Sequence, residues 1–338
     1  MIAAKFSKKT FQFKQPSGTS RGILVEKHAW FIELWKTDSP EIIGIGECSV
    51  IKGLSPDFES FEAYEEQLTA LCSNIELNLD LWPSIKFGLE SALLDLKNGG
   101  KGILYDNAFT RGERKIPING LIWMGSSEFM RTQIEDKLKA GFSTLKMKIG
   151  ALNFDDEIEL LKSIRKSYSK DKITLRVDAN GAFSPNETLD KLSILSELDI
   201  HSIEQPIKAG QWAEMERLCL NTKLPIALDE ELIGIHLYAE KVNLLRQIVP
   251  QFIILKPSLH GGISGTQEWI EIAESLNIAW WITSALESNI GLSAICQLTA
   301  QYNNPLPQGL GTGSLYTNNI PSRLVVNRGF ISLSQPQG

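Results

Sequence analysis

The sequence predicts an α/β fold, in which a (β/α)7β TIM-like barrel follows an N-terminal α+β capping domain. From Ile116 onward, short apolar segments alternate with amphipathic stretches, as in parallel βα units. Polar residues that end successive apolar segments lie 25 to 30 residues apart, which is about the length of one βα unit. The candidate strands are residues 116–119, 144–149, 173–178, 203–205, 225–229, 252–256, 280–284 and a weaker segment that ends near Gly309.

The first third of the chain has a different texture, which predicts the capping domain. Apolar residues in 23–25 and 29–32 suggest antiparallel strands. Residues 83–100 carry apolar side chains at helical spacing and finish with two glycines, a helix stop. We therefore expect a capping domain at residues 1–113, a catalytic barrel at 114–313, and a C-terminal segment at 314–338 that packs back on the capping domain.

Composition and charge exclude several classes of function. The 338 residues carry a net charge of −6 without a basic block, which argues against a nucleic-acid partner. No stretch approaches eighteen apolar residues and the N-terminus lacks an apolar signal core, so we expect a cytoplasmic protein without a membrane partner. Cysteines and histidines are scattered without metal-ligand spacing, which argues against zinc and disulfides. The oligomeric state is left open.

Two lysines share one face of the second candidate barrel strand. In the segment LKMKI the alternation of a strand puts Lys146 and Lys148 on one side and the apolar residues on the other. If that side faces into a barrel, the two lysine ammonium groups repel each other, and this repulsion lowers the pKa of at least one of the two lysines. Lys148 lies nearer the mouth and is the better candidate base. An edge strand with both lysines in water is the alternative that the pattern leaves open.

The next three strands end in Asp178, Glu204 and Asp229. Three carboxylates that meet at a barrel mouth repel one another unless a cation lies among them, so we expect a hard divalent metal, Mg²⁺, for which Mn²⁺ can substitute. Lys256 ends the following strand and would face Lys148 across the site. By contrast, alternation places Glu230 on the other face, and we interpret it as a surface carboxylate or helix cap.

This set of groups suits removal of a proton next to a carboxylate. The enediolate that results carries two negative charges, which a metal ion and an ammonium group can stabilise. Enzymes of this kind use a lysine or histidine base with Mg²⁺. The expected partner is therefore a small-molecule carboxylate substrate.

A series of motifs gives the chain a resemblance to the enolase superfamily, in its muconate-lactonizing-enzyme-like branch. The resemblance covers almost the whole chain, and it depends on the order and spacing of the motifs together. They are TSRG, GIGE, LKMKIG, LRVDANGAF, IEQP, IALDEEL, ILKPSLHGG, TSALESNIGL and GLGTG.

The resemblance implies a role for each matching residue. Asp178, Glu204 and Asp229 would bind the metal, Lys148 would be the base and Lys256 the stabilising cation. A capping-domain loop around Thr19 to Gly22 would close over the substrate. The implied substrate-binding residues are Lys146, Arg176, Ser284, Gly309, Gly311, Thr19, Ser20 and Arg21, supported by Asn180 and Glu287.

The resemblance also implies a lyase reaction, the syn dehydration of a cyclohexadiene carboxylate that bears a succinyl group and a hydroxyl. An N-acylamino acid racemase or a dipeptide epimerase would use the same five residues, although an Asp-x-Asp pair expected for dipeptides does not follow the seventh strand. Acid-sugar dehydratases would place a histidine where Ser284 stands. A binding protein without catalysis predicts the loss of at least one of the five residues, and all five are present.

Overall fold

The N-terminal part of the chain is an antiparallel sheet with two helices packed against it. A computed structural model describes residues 1–19 and 22–334, without the side chains of residues 17–19. The sheet contains β1 (Ile2–Thr19), β2 (Gly22–Lys36) and β3 (Ser39–Ser49), which pair in sequence order. Helices α1 (Phe61–Ser73) and α2 (Pro83–Lys97) follow. The predicted helix and the antiparallel sheet are confirmed, but residues 23–25 and 29–32 both lie on one strand, β2, which pairs with β1 and β3.

Strand β3 packs unusually close to helix α2. A Cβ atom on Gly46 would lie 1.8 Å from the carbonyl oxygen of Gly88, and one on Gly88 would lie 2.3 Å from the Cys48 Sγ atom. Both positions therefore require glycine, because any side chain would force the strand and the helix apart.

A parallel sheet of seven strands forms the barrel wall, and the predicted fold class is confirmed. Its seven strands are hydrogen-bonded in sequence order, with Gly120–Ile122 at one edge and Ala279–Ile282 at the other. In chain order the elements are β4 (Ile116–Pro117), β5 (Gly120–Ile122), α3 (Ser127–Lys139), β6 (Thr144–Lys148), α4 (Phe154–Ser167), β7 (Thr174–Asp178), α5 (Pro185–Ser196), β8 (Ser202–Glu204), α6 (Trp212–Asn221), β9 (Ile226–Leu228), a 3₁₀ turn (Glu230–Leu232), α7 (Tyr238–Ile248), β10 (Phe252–Leu255), α8 (Gly262–Ser275), β11 (Ala279–Ile282), α9 (Asn289–Thr299), β12 (Leu324–Asn327) and β13 (Phe330–Leu333).

The barrel closes through two isolated parallel bridges. Ile118 pairs with Gln308, and Thr283 pairs with Gly309. The eighth strand predicted to end near Gly309 is thus reduced to two adjacent residues that join the first and seventh strand positions.

The first predicted barrel strand, residues 116–119, needs correction. Residues Ile116–Pro117 pair antiparallel with β13, and Gly120–Ile122 is the segment that pairs with β6. A short apolar run does not reveal which of two sheets it will join, and here the C-terminal hairpin competes for it.

The C-terminal segment contacts both parts of the molecule. Lys14 donates its backbone N–H to Leu315, and the Tyr316 ring lies 4.8 Å from that of Phe13, so this stretch lies on the capping domain. Hairpin β12–β13 instead joins β4 beside the barrel. The domain boundaries at 113 and 313 remain predictions.

Strand β6 lies inside the sheet, between β5 and β7. Leu145 and Met147 are buried in the main apolar core, while Lys146 and Lys148 point to the interior of the barrel. The alternation prediction is confirmed, and the open alternative of a solvent-exposed edge strand is wrong. No helix within residues 1–19 and 22–334 has the length and apolar character needed to cross a membrane.

The contact between β3 and α2 gives a testable prediction. We expect Gly46→Ala to lower the free energy of unfolding by roughly 3 kcal/mol, because the new methyl group would overlap a backbone carbonyl. Urea denaturation followed by circular dichroism measures the change. Gly311→Ala is the matched control, because a Cβ atom at this position would lie 3.5 Å from its nearest neighbour, an ordinary contact distance. Equal stability of the two variants would contradict the packing interpretation.

Candidate active site

A pocket of about 860 Å³ opens at the carboxyl ends of the barrel strands. This is the face at which barrel enzymes carry their catalytic residues. Residues from seven strand ends line it, and Leu24, Ile51 and Leu54 of the capping domain cover it. The remaining lining residues are Asn119, Leu121, Trp123, Lys146, Lys148, Asp178, Asn180, Glu204, Asp229, Glu230, Lys256, Thr283, Ser284, Ala285, Leu286, Gly309, Gly311 and Thr312.

Lys146 bridges two of the three carboxylates at the pocket floor. Its Nζ atom lies 2.9 Å from Asp178 Oδ2 and 2.7 Å from Glu204 Oε2. Burial acts to lower the pKa of Lys146, but the surrounding carboxylates outweigh it and raise that pKa overall. The carboxylates around Lys146 therefore favour its charged form.

Lys148 lies one step nearer the mouth and is held by an asparagine. Its Nζ atom donates to Asn180 Oδ1 at 2.6 Å and lies 3.3 Å from Asp178 Oδ2. Asn180 itself has a φ of 44°, in the left-handed region that asparagine tolerates better than most residues. Its amide nitrogen donates to Glu230 Oε1 at 3.0 Å. The amide of Asn180 therefore fixes the position of the candidate base.

Lys256 follows β10 and pairs with Asp229. Strands β6 and β10 are four places apart in the sheet, so Lys256 and Lys148 stand on opposite sides of the barrel. Burial opposes the charge of Lys256, yet Asp229 and other carboxylates raise its pKa overall. The backbone N–H of Lys256 donates to His260 Nδ1 at 2.9 Å, and burial lowers the pKa of this histidine to about 3.

The pKa values of the three carboxylates are shifted in different directions. Burial and the neighbouring Asp178 raise the pKa of Glu204, whereas the lysines hold the pKa of Asp178 and of Asp229 below the usual value despite burial. Among the described residues no three acidic, histidine or cysteine side chains are grouped around one metal position. The ammonium groups of Lys146 and Lys256 take the carboxylate oxygens instead.

The donor set nevertheless fits a hard divalent cation. Glu204 Oε1 and Asp229 Oδ1 are buried, and neither accepts a hydrogen bond from a donor in the described part of the chain. Buried carboxylate oxygens without a donor are costly unless a cation satisfies them. Oxygen ligands are also those that Mg²⁺ and similar ions prefer. Asp178, Glu204 and Asp229 are thus suitable ligands for such an ion.

The residues predicted to bind substrate fall into three groups. Ser284, Gly309 and Gly311 line the pocket, as expected, and the Ser284 hydroxyl is 2.6 Å from that of Thr312. Thr19 ends β1, but its side chain lies outside the described part of the structure, as do Ser20 and Arg21 entirely.

Arg176, predicted to bind substrate, does not line the pocket. Its guanidinium donates to the carbonyl of Pro307 at 2.7 Å and stacks 4.0 Å above the Trp281 ring, in the barrel below the carboxylates. Arg176 lies two positions before Asp178 on β7, so its side chain faces the same way but one layer deeper in the barrel. Glu287 is fully buried and accepts hydrogen bonds from Ser258 Oγ and the Ala285 N–H.

Glu230 and Asn119 are two of the pocket residues that the sequence interpretation did not place in the site. Glu230 was expected on the opposite face, but β9 ends at Leu228 and a 3₁₀ turn begins at Glu230, so alternation no longer applies. Asn119 is only 5% exposed, and its Oδ1 atom accepts no hydrogen bond from the described residues. The sequence signal for Asn119 was its position next to the first barrel strand. That strand was predicted at residues 116–119, but the structure places it at Gly120–Ile122.

Comparison with known proteins identifies the class to which this fold and site belong. A model of enolase C-terminal domain-like proteins matches residues 130–338, which is more than half of the chain. The chain therefore belongs to the enolase C-terminal domain-like family, and the resemblance to the enolase superfamily is confirmed. Membership of this family implies the use of a divalent metal.

Particular relatives extend the match over nearly the whole chain. The o-succinylbenzoate synthase of Desulfotalea psychrophila is 47% identical, over 95% of this chain and 96% of the relative. The crystal structure of MenC from the same organism has a TM-score of 0.88 at 43% identity, over 98% of this chain and 99% of that one. The L-Ala-D/L-Glu epimerase of Bacillus subtilis is 28% identical over 54% of this chain and 49% of the relative.

The unsatisfied carboxylate oxygens predict binding of a divalent cation. Titration of chelator-treated protein with MgCl₂ or MnCl₂ should raise the melting temperature, by an amount equivalent to about 2.7 kcal/mol at a hundredfold excess over Kd. Asp229→Asn should weaken this response strongly. Glu33→Gln, on the outside of β2, is the control and should respond like the unmodified protein. An undiminished response of Asp229→Asn would exclude that carboxylate as a ligand.

Proposed function

We propose that the protein is a lyase that forms o-succinylbenzoate by syn dehydration of 2-succinyl-6-hydroxy-2,4-cyclohexadiene-1-carboxylate, a reaction of menaquinone biosynthesis. The observation that carries the proposal is a pair of lysines, Lys148 and Lys256, on opposite sides of three buried carboxylates. The 47% identity to an o-succinylbenzoate synthase over almost the whole chain supports it. We also infer that the enzyme works in the cytoplasm on this small molecule.

Lys148 would act on the α proton of the substrate. As a neutral amine it accepts the proton from the carbon next to the carboxylate, and the C–H electrons move into the enediolate. The ammonium then gives the proton to the β-hydroxyl, which leaves as water when the C–O bond breaks. Both steps use one face of the ring, which is why a single base suffices for a syn elimination.

Asn180 would keep Lys148 aimed at the substrate during both steps. Its hydrogen bond to the lysine is 2.6 Å long, and its other amide atom is tied to Glu230. The base therefore cannot swing freely out of the pocket, and little reorganisation is needed when the proton moves.

Lys256 would remain a cation on the opposite face. Its ammonium group lies against Asp229 and close to the cluster where the substrate carboxylate would sit. The ammonium group of Lys256 would thus stabilise the negative charge that develops on this carboxylate, in a site from which water is largely excluded. Lys146, between Asp178 and Glu204, would add a second positive charge at the same end.

A divalent ion held by Asp178, Glu204 and Asp229 would supply further positive charge next to the substrate carboxylate when bound. We propose Mg²⁺, with Mn²⁺ as a substitute, because hard oxygen ligands favour both. The lysines and the ion would therefore share the stabilisation of the enediolate.

The remaining pocket suits a ring with an acidic tail. Leu121, Trp123 and Leu54 offer apolar surface for the ring, while Ser284 and Thr312 offer hydroxyl groups at the other end for the succinyl carboxylate. Capping residues above the pocket would keep water away from the reactive carbon. Closure of the loop at Thr19, Ser20 and Arg21 over the substrate stays a prediction.

Racemisation of N-acylamino acids or epimerisation of dipeptides is the alternative, because lysines on both faces can exchange an α proton. The segment after β11 argues against a dipeptide substrate. Ala285 and Leu286 line the pocket there, and they provide no carboxylate for a dipeptide ammonium group. The epimerase relative also matches only about half of the chain.

Substrate conversion tests the proposal directly. Purified protein with MgCl₂ should convert the cyclohexadiene carboxylate to o-succinylbenzoate, which is followed by loss of the diene absorbance. L-Ala-L-Glu and N-succinylamino acids are the comparison substrates. Their kcat/KM should be lower by at least about a hundredfold, which corresponds to about 2.7 kcal/mol in activation free energy. Turnover of dipeptides without dehydration would make the epimerase reading correct.

Removal of either lysine should stop the reaction. Lys148→Ala and Lys256→Ala are each expected to reduce kcat by about 10³-fold or more, the scale of positioned proton transfer and charge stabilisation. Circular dichroism should show an intact fold. Lys52→Ala, on the surface loop after β3, is the control. Near-normal kcat for Lys148→Ala would mean that another group is the base.

A further inference from the structure

The loop of residues 284–288, after β11, forms one wall of the pocket. Ser284, Ala285 and Leu286 all line the cavity. Leu286 has a φ of 63°, in the left-handed region, which a leucine rarely adopts. Such a conformation persists only where surrounding contacts hold it in place. Contacts from other parts of the protein must therefore hold Leu286 in this strained backbone conformation.

Two side chains hold the carbonyl groups on either side of the strained position. Lys27, on β2 of the capping domain, is 4% exposed and donates from its Nζ atom to the Ala285 carbonyl. The Tyr316 hydroxyl donates to the Leu286 carbonyl at 2.5 Å. Both come from parts of the chain that are remote in sequence from the loop.

Glu47, on β3, holds the end of the loop. Its carboxylate accepts hydrogen bonds from the Ser288 N–H at 2.8 Å, from the Ser288 hydroxyl at 2.5 Å and from the Gly291 N–H at 2.8 Å. Ser288 is the N-cap of α9, so these backbone donors are among those that a helix start leaves unpaired. A carboxylate is also favoured there by the helix dipole.

A buried cluster of charges joins these contacts. Lys27 interacts with both Glu47 and Glu287, and all three side chains are at most 4% exposed. Glu287 in turn accepts the Ala285 N–H at 2.7 Å. Buried ion pairs add little net stability over apolar residues of the same shape, so fixing a geometry is the better explanation for this cluster.

We propose that Lys27, Glu47 and Tyr316 are positioning residues that hold Leu286 in its left-handed conformation and so set the pocket wall against which the substrate tail fits. Leu286 also packs into an apolar cluster with Phe11 and Phe31 of the capping sheet. Lys27, Glu47 and Tyr316 would thus influence specificity through a barrel loop, without touching the substrate themselves. The identity of the tail rests on the proposed function, whereas the loop conformation does not.

Hydrogen–deuterium exchange on the full chain tests the loop directly. Lys27→Met and Tyr316→Phe should speed exchange of peptides from residues 284–291 about five- to tenfold, the effect of losing one hydrogen bond. Exchange elsewhere should not change. Tyr316→Phe removes only the hydroxyl, since the ring keeps its contacts with Phe11 at 5.1 Å and Phe13 at 4.8 Å. Lys36→Met, an exposed position on the same strand as Lys27, is the control.

Kinetics supply the second readout. In Tyr316→Phe, KM for the cyclohexadiene carboxylate should rise about fivefold while kcat stays within twofold, because the loop shapes binding and holds no reacting group. Unchanged exchange at residues 284–291 in Tyr316→Phe would overturn the proposal, and so would uniformly faster exchange along the chain. Absence of dehydratase activity in the unmodified protein would refute the proposed function alone, since the exchange result would still decide the role of the loop.

Discussion

The balance of buried charge at the barrel mouth is the constraint on which the rest of the site depends. Three ammonium groups and four carboxylates, Glu230 among them, line a single pocket, and each of these side chains lies on a barrel strand or just beyond the end of one. Removing one member would leave an opposite charge without compensation in a water-poor setting, which costs several kcal/mol. The barrel therefore supplies more than a scaffold, because it fixes the distance at which these charges neutralise one another.

The sequence predicted the barrel and the five central residues because both depend on regular periods. Alternation within β6 separated the lysines from the buried apolar residues, and the spacing of strand ends brought the carboxylates to one face. Where the strand alternation ends, the position of a side chain could no longer be predicted from it. Glu230 was misplaced because the strand ends before it, and Arg176 was placed at pocket depth although it lies one layer lower.

Long-range pairing explains the other differences between sequence and structure. The run at Ile116–Pro117 looked like a barrel strand, yet its partner is a hairpin near the other end of the chain. Likewise, nothing in the residues around Lys27 or Glu47 indicates that they meet a barrel loop. Interactions between segments so distant along the chain depend on the complete topology, which local patterns do not encode.

Closure of the barrel by isolated bridges has a consequence for the order in which the molecule is completed during synthesis. Gln308 and Gly309 are the residues that join the two open sides of the sheet, and β13 then covers Ile116. Gln308, Gly309 and β13 are all synthesised after the five central residues. Without these residues the sheet would stay open between its first and seventh strands, so the charged cluster can be enclosed only after almost the whole chain has been made.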